Sequence, residues 1–71
     1  MKKSFKLENL DCANCAAKME AAINKIDGVS ATISFMTQRL TIETTDEKFD
    51  ECLDLAQKAI SKVEPDCVIK R

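Results

Sequence analysis

Along this chain the apolar residues change spacing, from every second position to every third or fourth and back, and that succession fixes the order of its elements. Residues 3–8 alternate, with Phe5 and Leu7 inward, as in a half-buried strand. Asn9, Leu10, Asp11 and Cys12 are turn-prone and read as a loop. From Ala13 to Asp27 the residues Cys15, Met19, Ala22, Ile23 and Ile26 recur at helical spacing, and they predict an amphipathic helix. Gly28 follows, suited to a left-handed C-cap. Residues 29–35 alternate again, with Val29, Ala31, Ile33 and Phe35 inward, and residues 39–44 do so with Leu40 and Ile42 inward. The short Met36-Thr37-Gln38 link makes these two a hairpin. Thr45-Asp46 opens a second helix as an N-cap with acidic residues in its first turn. Phe49, Leu53, Ala56, Ile60 and Val63 form its inward stripe, and it runs to about Lys62. Glu64-Pro65-Asp66 breaks it, and Cys67-Val68-Ile69-Lys70 reads as a short last strand.

The order β-α-β-β-α-β predicts an α+β fold, the ferredoxin-like sandwich, with two helices on one face of a four-stranded antiparallel sheet. The outward strand residues are Ser, Thr, Lys, Arg and Glu, which leaves the other face wet. A chain of 71 residues with 45% apolar content sustains one core, so residues 1–71 are expected to form a single domain. The strand order brings three loops to one end: the loop from Asp11 to Cys15, the turn near Met36, and the Glu64-Pro65 loop. Whatever Cys12 and Cys15 bind is therefore expected close to Glu64 and Pro65.

Several function classes drop out. The formal net charge is −1 and the only aromatics are three Phe, which argues against a nucleic-acid surface. The longest apolar runs fall far short of the roughly 20 residues that span a bilayer. Met1-Lys2-Lys3 has no apolar stretch behind it and is no secretory signal, so a cytoplasmic setting is expected. There is no histidine, which excludes His-ligated zinc sites and His-based nucleophilic catalysis. The chain has four cysteines. In a reducing compartment these point to metal or redox chemistry rather than disulfides.

Asp11-Cys12-Ala13-Asn14-Cys15 is the one constellation that carries such chemistry. Cys12 falls in the loop and Cys15 in the first helical turn, so their sulfurs can converge on one ion. Unpaired N–H groups at a helix start favour a thiolate, the form that is both ligand and nucleophile. A Cys-x-x-Cys pair beside a β-α-β unit is also compatible with a thiol–disulfide oxidoreductase, although the chain is short for that fold. Cys52 and Cys67 fall on or beside apolar stripes and read as core thiols, with a role near the metal as the alternative for Cys67, which follows the Glu64-Pro65 loop. Met19 reads as core and Met36 as an exposed hairpin residue. Lys18, Glu20 and Lys25 read as a solvated helix face.

The run from Asn9 to Glu20, Asn-Leu-Asp-Cys-Ala-Asn-Cys-Ala-Ala-Lys-Met-Glu, closely resembles the signature of heavy-metal-associated domains. That family includes copper chaperones and the N-terminal domains of heavy-metal-transporting P-type ATPases. The resemblance implies the fold derived above, no catalysis by the domain itself, and Cys12 and Cys15 as metal ligands. Asn9-Leu10 replaces the usual Gly-Met, and Leu10 can still plug the core beneath the loop. Asp11 stands where copper members usually have Thr or His. Leu-Asp-Cys-Ala-x-Cys-Ala-Ala-Lys looks like the zinc, cadmium and lead ATPase branch. Pro65 stands where the family often has Lys or an aromatic.

Two thiolates suffice for Cu(I), whereas Zn²⁺ prefers four ligands and accepts carboxylate oxygen. Asp11 can supply that oxygen, so Zn²⁺ or Cd²⁺ is the expected cargo, with Pb²⁺ or Cu⁺ as alternatives. Asp11 could instead serve as the helix cap. Glu64 is a further ligand candidate, although a solvated loop charge is its ordinary reading. The expected partners are an ATPase membrane core or a metallochaperone, met through the metal-loop face. The expected state is a monomer, and an open two-thiolate site also permits metal-bridged dimers. A free-standing metallochaperone for Cu(I) is the second reading.

Overall fold

Strand β1 (Lys2–Glu8) is followed by helix α1 (Ala13–Asn24), strands β2 (Ser30–Ser34) and β3 (Arg39–Glu43), helix α2 (Phe49–Val63) and strand β4 (Val68–Lys70). The computed structural model describes residues 1–70, and Arg71 lies outside the described residues. The sheet order is β2-β3-β1-β4 and every pairing is antiparallel. Both helices cover one face, which is the ferredoxin-like sandwich that the element order predicts.

Register explains which side chains meet in the core. Phe5 pairs with Leu40, Leu7 with Ile69, and Ala31 and Ile33 with Ile42 and Leu40. These residues share the covered face because side chains alternate along a strand. Met19 and Ile23 of α1 and Leu53, Ala56 and Ile60 of α2 close the layer from above. Leu7, Met19, Ile23, Leu40, Ile42 and Ile60 are essentially fully buried. Each such side chain contributes on the order of 1.5–3 kcal/mol of hydrophobic stabilisation. Lys3 shares the inward row of β1 and lays its ammonium over the Phe49 ring, 5.6 Å from the centroid.

Several boundaries differ from the sequence reading. Helix α1 ends at Asn24 rather than Asp27. There the Asn24 side chain turns to Ala31, its Nδ2 donating to the carbonyl at 2.9 Å while its Oδ1 accepts from the N–H at 2.7 Å. The backbone tightens to three-residue bonds at Lys25 and Ile26, then reverses through Gly28 at φ 78°. The buried residues of α1 include Ala16, whereas Ala22 and Ile26 are only half-buried. Phe35 leaves the strand and is exposed within the hairpin turn. Thr45 makes no side-chain cap bond, and a 3₁₀ turn over Asp46–Lys48 precedes α2.

Both outer strands have their free backbone edge occupied by a helix side chain. On β2, Asn24 holds Ala31 and the Glu20 carboxylate accepts from the Ile33 N–H at 2.7 Å. On β4, the Gln57 amide accepts from the Ile69 N–H at 2.8 Å and donates to the Cys67 carbonyl at 3.0 Å. Unpaired strand edges otherwise invite pairing with other chains.

Candidate metal centre

Leu10, buried beneath the loop after β1, plugs the core and fixes where that loop turns upward. Two residues later Cys12 takes the N-cap of α1, with extended φ −135° and ψ 122°. Its sulfur accepts from the Cys15 N–H at 3.2 Å. Its carbonyl accepts from the Ala16 N–H at 3.0 Å. The cap is therefore Cys12 and not Asp11. Sequence reading favours Asp, Asn, Ser or Thr at caps, so a sulfur cap carries no ordinary signature. The first turn of α1 contains no acidic residue. The Cys15 and Asn14 N–H groups there act on the Cys12 sulfur and favour its anionic form.

This geometry makes the two half-buried thiols unequal. Cys12 is held below the usual thiol range, first by a hydrogen bond from the Cys15 side chain and then by the backbone N–H groups of Cys15 and Asn14. Cys15 is pushed up to about 11, chiefly because its thiol donates to Cys12. Loss of solvent and the Glu64 carboxylate act in the same direction. On raising the pH, Cys12 therefore gives up its proton before Cys15 does.

The three loops expected at this end do meet there. The Gln38 amide donates to the Leu10 carbonyl at 2.8 Å. The Asn9 amide donates to the Asp66 carbonyl at 3.1 Å. Glu64 is half-buried and its carboxylate acts on both thiols. Asp11 is exposed, and its charge is felt at Cys67 instead. Among the described residues no three of His, Cys, Asp and Glu are gathered so as to hold one ion together. Cys67 lies just before β4 and is fully buried, and Cys52 is buried in α2. Burial, then the charges of Glu64 and Asp11, push the Cys67 thiol upward. Met19 is in the core and Met36 is almost fully exposed at the hairpin tip, 93%.

Asn9 and Gln38, a loop residue and a hairpin residue in the sequence, also shape this end of the molecule. Both adopt left-handed backbone, φ 64° and φ 56°. Asn tolerates that region, so Asn9 carried a faint local signal. Gln38 carried none.

Residues 4–66 match the heavy-metal-associated domain family. The chain is 33% identical over 66 residues to the cation-transporting P-type ATPase B of Mycobacterium leprae, covering 78% of this chain and 9% of that protein. It is 40% identical over 45 residues to the cadmium, zinc and cobalt-transporting ATPase of Helicobacter pylori, covering 62% of this chain and 7% of that protein. The N-terminal domain of a potential copper-translocating P-type ATPase from Bacillus subtilis, solved in the Cu(I)-loaded state, superposes with a TM-score of 0.75. That match has 28% identity and covers 97% of this chain and 82% of the other. Among the described residues no helix is long and apolar enough to cross a membrane. The chain belongs to the heavy-metal-associated domain family, a non-catalytic metal-binding fold.

Proposed function

We propose that Cys12 and Cys15 jointly capture one thiophilic ion, Zn²⁺ or Cd²⁺ before Pb²⁺. The domain would then serve as the cytosolic N-terminal metal-binding region of an exporting P-type ATPase. The observation that carries this reading is the sulfur of Cys12 seated at the start of α1 with the Cys15 N–H upon it. The donors there favour the thiolate of Cys12, and the adjacent Cys15 becomes the second ligand once the ion displaces its proton. Asp11, exposed beside Cys12, turns inward as the third ligand when the ion arrives. Oxygen donors suit divalent Zn²⁺, and the named cadmium, zinc and cobalt-transporting relative supports that choice. Such an open site passes its ion on by ligand exchange. A partner's donors enter before Cys12 and Cys15 leave.

A second reading has its own support. With no third donor gathered among the described residues, two thiols alone meet the low coordination that Cu(I) accepts. The domain would then be a Cu(I) metallochaperone or copper-ATPase module.

Competition titrations of reduced protein with Zn²⁺, Cd²⁺ and Cu(I) separate the two. Removing a ligand should cost at least the 10–100-fold in affinity that even an outer-shell partner contributes. Asp11→Ala is expected to weaken Zn²⁺ and Cd²⁺ by that factor and leave Cu(I) unchanged. Unchanged Zn²⁺ and Cd²⁺ affinity removes Asp11 from the ligand set. Uptake that survives loss of both Cys12 and Cys15 removes the whole proposal.

A further inference from the structure

We infer that Gln38, on the hairpin and remote in sequence from the Cys-x-x-Cys motif, is the positioning residue that holds the metal loop in its ion-ready shape. The inference rests on the reading of Cys12 and Cys15 as the capture site.

Gln38 grips the loop at two points. Its backbone carbonyl accepts from the Leu7 N–H at 2.8 Å, where β1 ends. Its side-chain Nε2 donates to the Leu10 carbonyl at 2.8 Å, two residues before Cys12. Between these points the chain bends through Asn9 in the left-handed region, φ 64°. Gln38 therefore spans the bend and sets the height at which Cys12 starts the helix. The second hydrogen of the same amide goes to the Phe35 carbonyl at 3.0 Å, which anchors the clamp to the hairpin. Both acceptors are carbonyls, so the amide nitrogen must be the atom facing them.

The backbone points the same way. Gln38 itself adopts φ 56°, a conformation that disfavours residues with a Cβ. A hairpin alone would be served as well or better by glycine there. What glycine lacks is the amide, and the amide reaches the loop.

Two variants separate a clamp from general support of the fold. Gln38→Gly removes the amide and relieves the backbone. Gln38→Glu keeps the shape but sets a carboxylate oxygen against two carbonyls. Amide hydrogen exchange on the reduced, metal-free chain reads the loop directly. Faster exchange of at least about tenfold is expected in both variants at Cys15 and Ala16, whose N–H groups bond to Cys12, with Leu40 and Ile42 unchanged. That local loosening is what loss of a single clamp produces. Cd²⁺ affinity, measured in parallel, is expected to fall about tenfold, the lower end of the outer-shell range.

Loop protection equal to wild type in both variants overturns the inference. So does loss of loop and core protection together, because Gln38 would then support the fold at large. A loop loosened only by Gln38→Glu also overturns it, since the introduced charge would be the cause. If the wild-type chain takes up no thiophilic ion, the functional reading fails while the exchange result still stands.

Discussion

Because the N-terminal turn of α1 favours the Cys12 anion and Cys15 lies beside it, the two thiols give up their protons at different pH in the metal-free chain. Cys12 titrates below the usual thiol range and Cys15 is pushed up to about 11. At neutral pH an alkylating reagent should therefore modify Cys12 well before Cys15, since the thiolate is the reactive form. Peptide mapping after brief exposure checks this order, and equal labelling of the two would contradict the arrangement. The same inequality fixes how ion capture responds to pH. Above the Cys12 pKa and below about 11, binding must expel the Cys15 proton. Affinity then rises with pH, by about tenfold per unit for one proton released. A flat profile from a chelator competition across that interval would mean that Cys15 does not ligate.

At the scale of elements, the helices do more than cover the sheet. Asn24 and Gln57 each satisfy a backbone N–H and a carbonyl at opposite outer strands. Asn24→Ala or Gln57→Ala hands those part-buried groups over to water, at a cost of about 0.5–1.5 kcal/mol per bond lost. The two sites lie at opposite sheet edges, so the double variant should show nearly additive loss in urea melts. Strong non-additivity would mean that the edges are coupled. These same contacts explain what the sequence concealed. The strands were legible because Phe5 and Leu7, Val29 and Ala31, and Leu40 and Ile42 alternate on a sheet with one wet face. The end of α1 was not, because Asn24 leaves the helical pattern for a bond to Ala31, seven residues on, that has no local signature. Phe35 continued the alternation of β2 on paper, yet the hairpin turn carries it out to solvent. At the site, Cys12 and Cys15 were legible as a pair from their spacing and from Leu10 beneath them. The Cys12 cap, the Gln38 clamp and the reach of Glu64 depend on chain segments far apart in sequence.

For the molecule as a whole, the strand order gathers the loops after β1, β2 and α2 at one end. Under the proposed function, that end is where an ion and a partner would meet. The four cysteines are sorted accordingly. Cys12 and Cys15 are half-accessible, while Cys52 and Cys67 are sealed inside the core. Folding thus hides half of the chain's thiols. The denatured chain keeps all four, enough to wrap a tetrahedral ion, and so becomes a rival host for the same cargo. Ligand taken up by the unfolded state subtracts from the stabilisation that binding confers. A Cys52→Ala/Cys67→Ala double variant should therefore melt lower without metal, yet gain more degrees from added Cd²⁺ than wild type does. A smaller gain would contradict this. The consequence reaches past the native state: the core acts as a blindfold on the chain's own chelating power, and a damaged, opened copy would hoard ions that, under the proposed function, an intact one hands on.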